Sequence, residues 1–103
     1  GKIGIEASEK FEEHYKSSLI LRIEELKGEL QKYRSHLDYY YSTGRQMSAE
    51  IEKEAREGYA RGEIDYYRFV ESIENVTQIE LEFLDWLFQY NNTVLELNYL
   101  TLE

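Results

Sequence analysis

The chain has 103 residues, no proline, no cysteine and a net charge of −9. That length holds one domain at most. The missing cysteine excludes a disulfide framework and thiolate chemistry, and the acidity leaves no basic stripe to neutralise nucleic-acid phosphates or to approach an anionic membrane surface. With 32% charged residues, ten tyrosines and only six glycines, the composition favours long uninterrupted helices with half-wet packing faces.

From Leu19 the apolar positions run Leu19, Ile23, Leu26, Leu30, Tyr33, Leu37, Tyr40, alternating steps of 4 and 3. That is a heptad seam, and it predicts an amphipathic helix. Upstream, Phe11 and Tyr15 extend the stripe, and Glu6/Lys10 and Glu12/Lys16 form favourable i,i+4 pairs. Downstream the same spacing continues through Gly44, Met47 and Ile51 to Glu54 and Gly58. Ser42-Thr43-Gly44 lies in the middle of this ladder, and a glycine there costs about 1 kcal/mol against alanine, so local softness is expected without a stop. The first helix is predicted over about 5–59.

A tip is predicted over about 60–64, where Gly58 and Gly62 frame a short polar break. The second helix is predicted over about 65–100, opening on Asp65, which suits an N-cap. It carries two apolar stripes: Phe83, Leu87, Tyr90, Val94 and Leu97, and beside them Leu81, Leu84, Phe88 and Leu95. A helix apolar on two stripes has more than one neighbour, and a lone hairpin supplies only one. The fold expected is all-α, a long antiparallel two-helix coiled-coil hairpin forming a single unit over 1–103. Turning it about the tip sets Leu26 by Leu97, Leu30 by Val94, Tyr33 by Tyr90, Leu37 by Leu87, Tyr40 by Phe83 and Ile51 by Ile73, with Gly44 facing Glu80 and packing loosened there. This register leaves some 18 residues of the first helix overhanging, roughly 27 Å at 1.5 Å per residue. Self-association through this overhang and the second stripe is expected.

No run approaches the roughly 20 apolar residues of a membrane-spanning helix. Gly1 in place of an initiator methionine predicts an excised segment of a larger protein.

Enzyme chemistry is poorly served. His14 and His36 stand 22 residues apart, neither in the Glu-x-x-His frame of a di-metal helical bundle, and Glu13 and His14 point about 100° apart around the helix. No carboxylate pair sits in an apolar pocket, and no glycine-rich phosphate loop follows a strand. Trp86 and the tyrosine stripe read as helix packing. No catalytic, cofactor-binding or metal-binding residue is expected. The tip differs: an ordinary helix–helix turn explains its glycines but not the crowding of Arg61, Glu63, Asp65, Tyr66, Tyr67, Arg68 and Glu71 within three turns of the apex.

The string Gly58-Tyr59-Ala60-Arg61-Gly62-Glu63-Ile64-Asp65-Tyr66, with Glu71 and the return Leu87-Phe88-Gln89-Tyr90-Asn91-Asn92-Thr93-Val94-Leu95-Glu96-Leu97-Asn98-Tyr99-Leu100-Thr101, resembles the periplasmic tip of the TolC-like outer-membrane efflux factors. It is most similar to their heavy-metal, Czc/Cus-type branch, including forms joined to the C-terminus of a resistance-nodulation-division pump. The resemblance implies one hairpin of a trimeric α-helical tunnel in the periplasm, whose tip meets a periplasmic adaptor protein and, through it, the pump. Carried over by position, it implies an adaptor-docking tip of Tyr59, Arg61, Gly62, Glu63 and Asp65. It sets Arg68 and Glu71 at the tunnel mouth, where only Glu71 keeps the family's acid. The chain has no strand pattern for a barrel and no cysteine for lipidation, so membrane contact is expected only through other parts of the parent protein. From a different class, the pattern also admits a helical scaffold or signalling module that dimerises through its heptads, though such a module has no need of a charged, tyrosine-rich apex.

Overall fold

The computed structural model describes residues 1–102. It is an antiparallel helical hairpin, 85 Å long and 23 × 15 Å across. One arm is α1 (Lys2–Tyr39), a five-residue π-turn (Tyr40–Gly44) and α2 (Arg45–Ala60); the other is α3 (Tyr66–Thr101). The all-α hairpin expected from the heptads is the fold observed, with the turn at 61–65 and helix ends within a few residues of those predicted.

Cross-arm contacts fix the register. Tyr40 stacks on Phe83 at 4.0 Å between ring centroids, as the two ladders predict. One turn away His36 lies flat on Trp86, 3.9 Å between centroids and 2° from parallel. Nearer the open end Arg22 grips Glu96 through Nε at 3.1 Å and Nη2 at 3.0 Å. The hydrogen bond to Glu96 holds the guanidinium above its ordinary pKa. Leu26 and Leu37 of α1, Ala55 of α2 and Val76 of α3 form the buried apolar seam.

The π-turn corrects the predicted ladder. A π-helical turn holds one more residue than an α-helical one, and here the Arg45 amide donates five residues back to the Tyr40 carbonyl. The extra residue turns the helix beyond it, so the seam runs Gly44, Ser48, Ile51, Ala55, Gly58, with Gly44, Ile51 and Gly58 keeping their predicted places. Ser48 and Ala55 are buried where Met47 and Glu54 were expected, and those two face solvent. Gly44 does not face Glu80, which is exposed; it shares a cleft of about 200 Å³ with Met47, Ile79 and Phe83.

Local chemistry explains why the extra residue settles there. A Cβ on Gly44 would lie 3.2 Å from Tyr40 Cδ2, so the ring packs against the bare backbone of this glycine and a side chain there would crowd it. The widened turn also brings Tyr41 edge-on to Phe83 at 5.4 Å while Tyr40 stacks on it. Aromatic pairs of this kind contribute about 0.5–1.5 kcal/mol each beyond area burial, which offsets the poorer hydrogen-bond geometry. Ser42 Oγ donates to the Tyr39 carbonyl at 3.3 Å.

Ser48 is 4% exposed and its hydroxyl has no hydrogen-bond partner. An unsatisfied buried hydroxyl costs about 1–3 kcal/mol, while the methyl of alanine fits the same space. Ser48→Ala is therefore expected to stabilise the hairpin by about 1 kcal/mol, read as a raised urea midpoint at unchanged slope. A lowered midpoint would show that the hydroxyl has a partner in solution.

Candidate docking apex

The apex is built by backbone hydrogen bonds that need glycine at one place. The Glu63 amide donates to the Gly58 carbonyl at 2.8 Å and the Gly62 amide to the Tyr59 carbonyl at 3.1 Å. This pair is the Schellman closure of a helix C-terminus, and its first residue beyond the cap must be left-handed. Gly62 takes that position at φ 74°. Gly58, the other tip glycine, keeps helical backbone and is buried; a Cβ there would meet Ile64 Cγ1 at 3.5 Å. Ile64, one residue beyond the motif, thus closes over the end of α2.

Asp65 starts the return arm. Its Oδ1 accepts from the Arg68 amide at 2.8 Å, a side-chain cap on the first turn of α3. The sequence expectation that Asp65 opens the second helix holds. Its carboxylate is engaged with the backbone, which sets it apart from the other acidic residue of the apex.

The side chains divide into anchors and free groups. Tyr59 stacks on Phe69 at 5.0 Å and lies 6.2 Å from Tyr66, tying the last turn of α2 to the first turns of α3. Arg61 spans Glu57 at 3.7 Å and Glu63 at 3.8 Å, all three exposed. These are loose surface pairs that can exchange for an outside partner at little cost. Tyr66 is 66% exposed and Tyr67 74%, so two tyrosine rings stand largely free at the apex. Arg68 and Glu71 are exposed on the first turns of α3.

The structure thus brings Tyr59, Arg61, Gly62, Glu63 and Asp65 together at one end of the rod, with Gly62 and Asp65 shaping it. Sequence reasoning passed over Phe69, which seats Tyr59, and ranked Tyr66 and Tyr67 below their exposure. Two adjacent tyrosines directly after a capping aspartate were the available signal, because the first turn of a helix at a hairpin tip has few neighbours to bury them.

Among the described residues no group of three or more His, Cys, Asp or Glu side chains is placed to hold a metal ion, and no helix is long and apolar enough to cross a membrane. His14 is exposed on the overhang, and His36 is stacked on Trp86 far from the apex. No family model, curated protein or solved structure matches the chain.

Proposed function

We propose that this hairpin is a periplasmic tunnel-wall and tip segment of a TolC-like outer-membrane efflux factor, working in a tripartite export system. The observation that carries the reading is the apex: an 85 Å rod ends in a tight glycine turn that exposes Arg61, Glu63, Tyr66 and Tyr67 together. A rod end offers little area, so a few residues must carry any contact, and arginine and tyrosine are the usual carriers. The similarity of 58–71 and 87–101 to the family's tip and returning strut supports the same assignment.

In this reading Tyr59, Arg61 and Glu63, joined by Tyr66 and Tyr67, meet a periplasmic adaptor protein that links the tunnel to a resistance-nodulation-division pump. Arg68 and Glu71 stand at the tunnel mouth. The parent factor forms a trimer, and heavy-metal cations are the exported species that the Czc/Cus-type resemblance favours. The hairpin contributes wall and docking and carries no catalysis. Photocrosslinking from Tyr67 in the parent efflux factor tests the reading: the adaptor is the partner expected.

A further inference from the structure

The outer face of α3 is apolar along its C-terminal two-thirds. Leu81, Leu84, Phe88, Leu95 and Leu102 are 55%, 55%, 62%, 66% and 81% exposed, and Tyr99 beside them 82%. Their spacing keeps a heptad frame, with Asn91 filling the position between Phe88 and Leu95. At about 100° per residue this stripe points away from Val76, Phe83, Tyr90 and Leu97, which face α1 and α2. The structure therefore gives α3 two opposed packing faces, of which the hairpin covers one.

The charges that α3 itself sets beside the bare face all have one sign. Glu80 flanks it on one side, Glu74 and Asp85 on the other, and no lysine, arginine or histidine occurs from Phe69 to the end of the chain. Among the other acids of α3, Glu82 accepts from Gln78 and Glu96 is held by Arg22 of α1. Like charges set directly opposite each other are destabilising, so such a rim selects its partner by sign.

We infer that this face docks an amphipathic helix from outside the chain whose apolar stripe is flanked by lysine and arginine. A second copy does not fit: its α3 presents the same acidic rim. Its overhanging α1 segment mixes Lys2, Lys10 and Lys16 with Glu6, Glu9, Glu12 and Glu13. An anionic bilayer is repelled by the same rim. The inference holds whether or not the hairpin belongs to an efflux tunnel, and within that reading it assigns basic flanks to the neighbouring helix of the wall.

The chain has no cysteine, so Asn91→Cys carries a single bimane at the centre of the face. The probes are three synthetic helices of about three heptads with one leucine seam and flanks of lysine, glutamine or glutamate. The lysine-flanked helix is expected to bury the bimane and to bind about tenfold tighter than the glutamine-flanked one, with the glutamate-flanked helix weakest. That ranking should collapse when salt rises to about 0.5 M.

Phe88→Glu combined with Leu95→Glu separates a docking face from general attraction to an acidic protein. Both side chains are exposed, so helix content should persist. The variant is more acidic yet should lose the lysine-flanked helix. Four results would each overturn the inference: equal binding of lysine- and glutamate-flanked helices, stronger binding to the doubly acidic variant, no binding by any probe, or bimane already buried in a dimer of the chain alone.

Discussion

Gly62→Val is expected to lower the melting temperature of the hairpin by roughly 5–20 °C and, in the proposed parent efflux factor, to abolish export. The amide of this residue closes the end of α2 while its backbone sits at φ 74°, where a β-branched side chain is strained by about 1–3 kcal/mol. For a chain of this size each 1 kcal/mol shifts the melting temperature by about 4–8 °C. No heavy atom lies within 4 Å of an added Cβ, so the loss comes from the backbone and not from a clash. Gly62→Asn, which tolerates the left-handed region, should recover most of the stability. Arg61→Glu should leave helicity and melting unchanged while weakening the adaptor contact. Calorimetric melting of the hairpin and export by the parent factor, normalised to its abundance, check the set. A valine variant that melts like the parent would show that another residue can carry the turn.

Leu26→Ala should destabilise the hairpin by about 2–5 kcal/mol, the range for emptying a fully buried leucine site. Leu26 is 1% exposed, the largest fully buried side chain of the seam. It lies one turn from Arg22, whose guanidinium grips Glu96, so it packs near the C-terminal, open end of α3. The loss should therefore be local before it is global: hydrogen exchange over 93–102 should accelerate while amides near the apex keep their protection. Leu84→Ala removes the same side chain from the bare outer face, where it is 55% exposed, and should cost well under half as much. Equal losses for the two would mean that the outer face is buried in solution, by self-association or by a bound partner.

The two helices, their antiparallel pairing and the cap at Asp65 were legible because each rests on a local rule: heptad spacing, one glycine-framed break and a carboxylate before an apolar run. The Tyr40–Phe83 pair follows from those ladders alone. The π-turn was not legible as a change of register, since Gly44 announced softness without saying that a residue would be added. A warning was present all the same. A strict heptad carried past Gly44 places Glu54 in the seam, whereas one extra residue exchanges Met47 and Glu54 for Ser48 and Ala55 and leaves no charge there. Tyr39-Tyr40-Tyr41 followed by Ser-Thr-Gly supplies the aromatic contacts and the space that make the insertion favourable. At the apex, residue types located the site but not the division of labour within it. That Asp65 is committed to the Arg68 amide while Tyr66 and Tyr67 stand free depends on cap geometry and exposure, which spacing does not encode.

The proposed docking role is tested most directly by a photoreactive amino acid placed at Tyr67 in the proposed parent efflux factor, with the same group at Phe11 as the control. Both positions are strongly exposed, at 74% and 72%, but they lie toward opposite ends of the rod. The adaptor is expected as the crosslinked product from Tyr67 and not from Phe11, with both proteins at normal abundance. No adaptor product from Tyr67, or an equal yield from Phe11, would contradict the docking role and leave the hairpin a helical wall or scaffold with an ordinary turn.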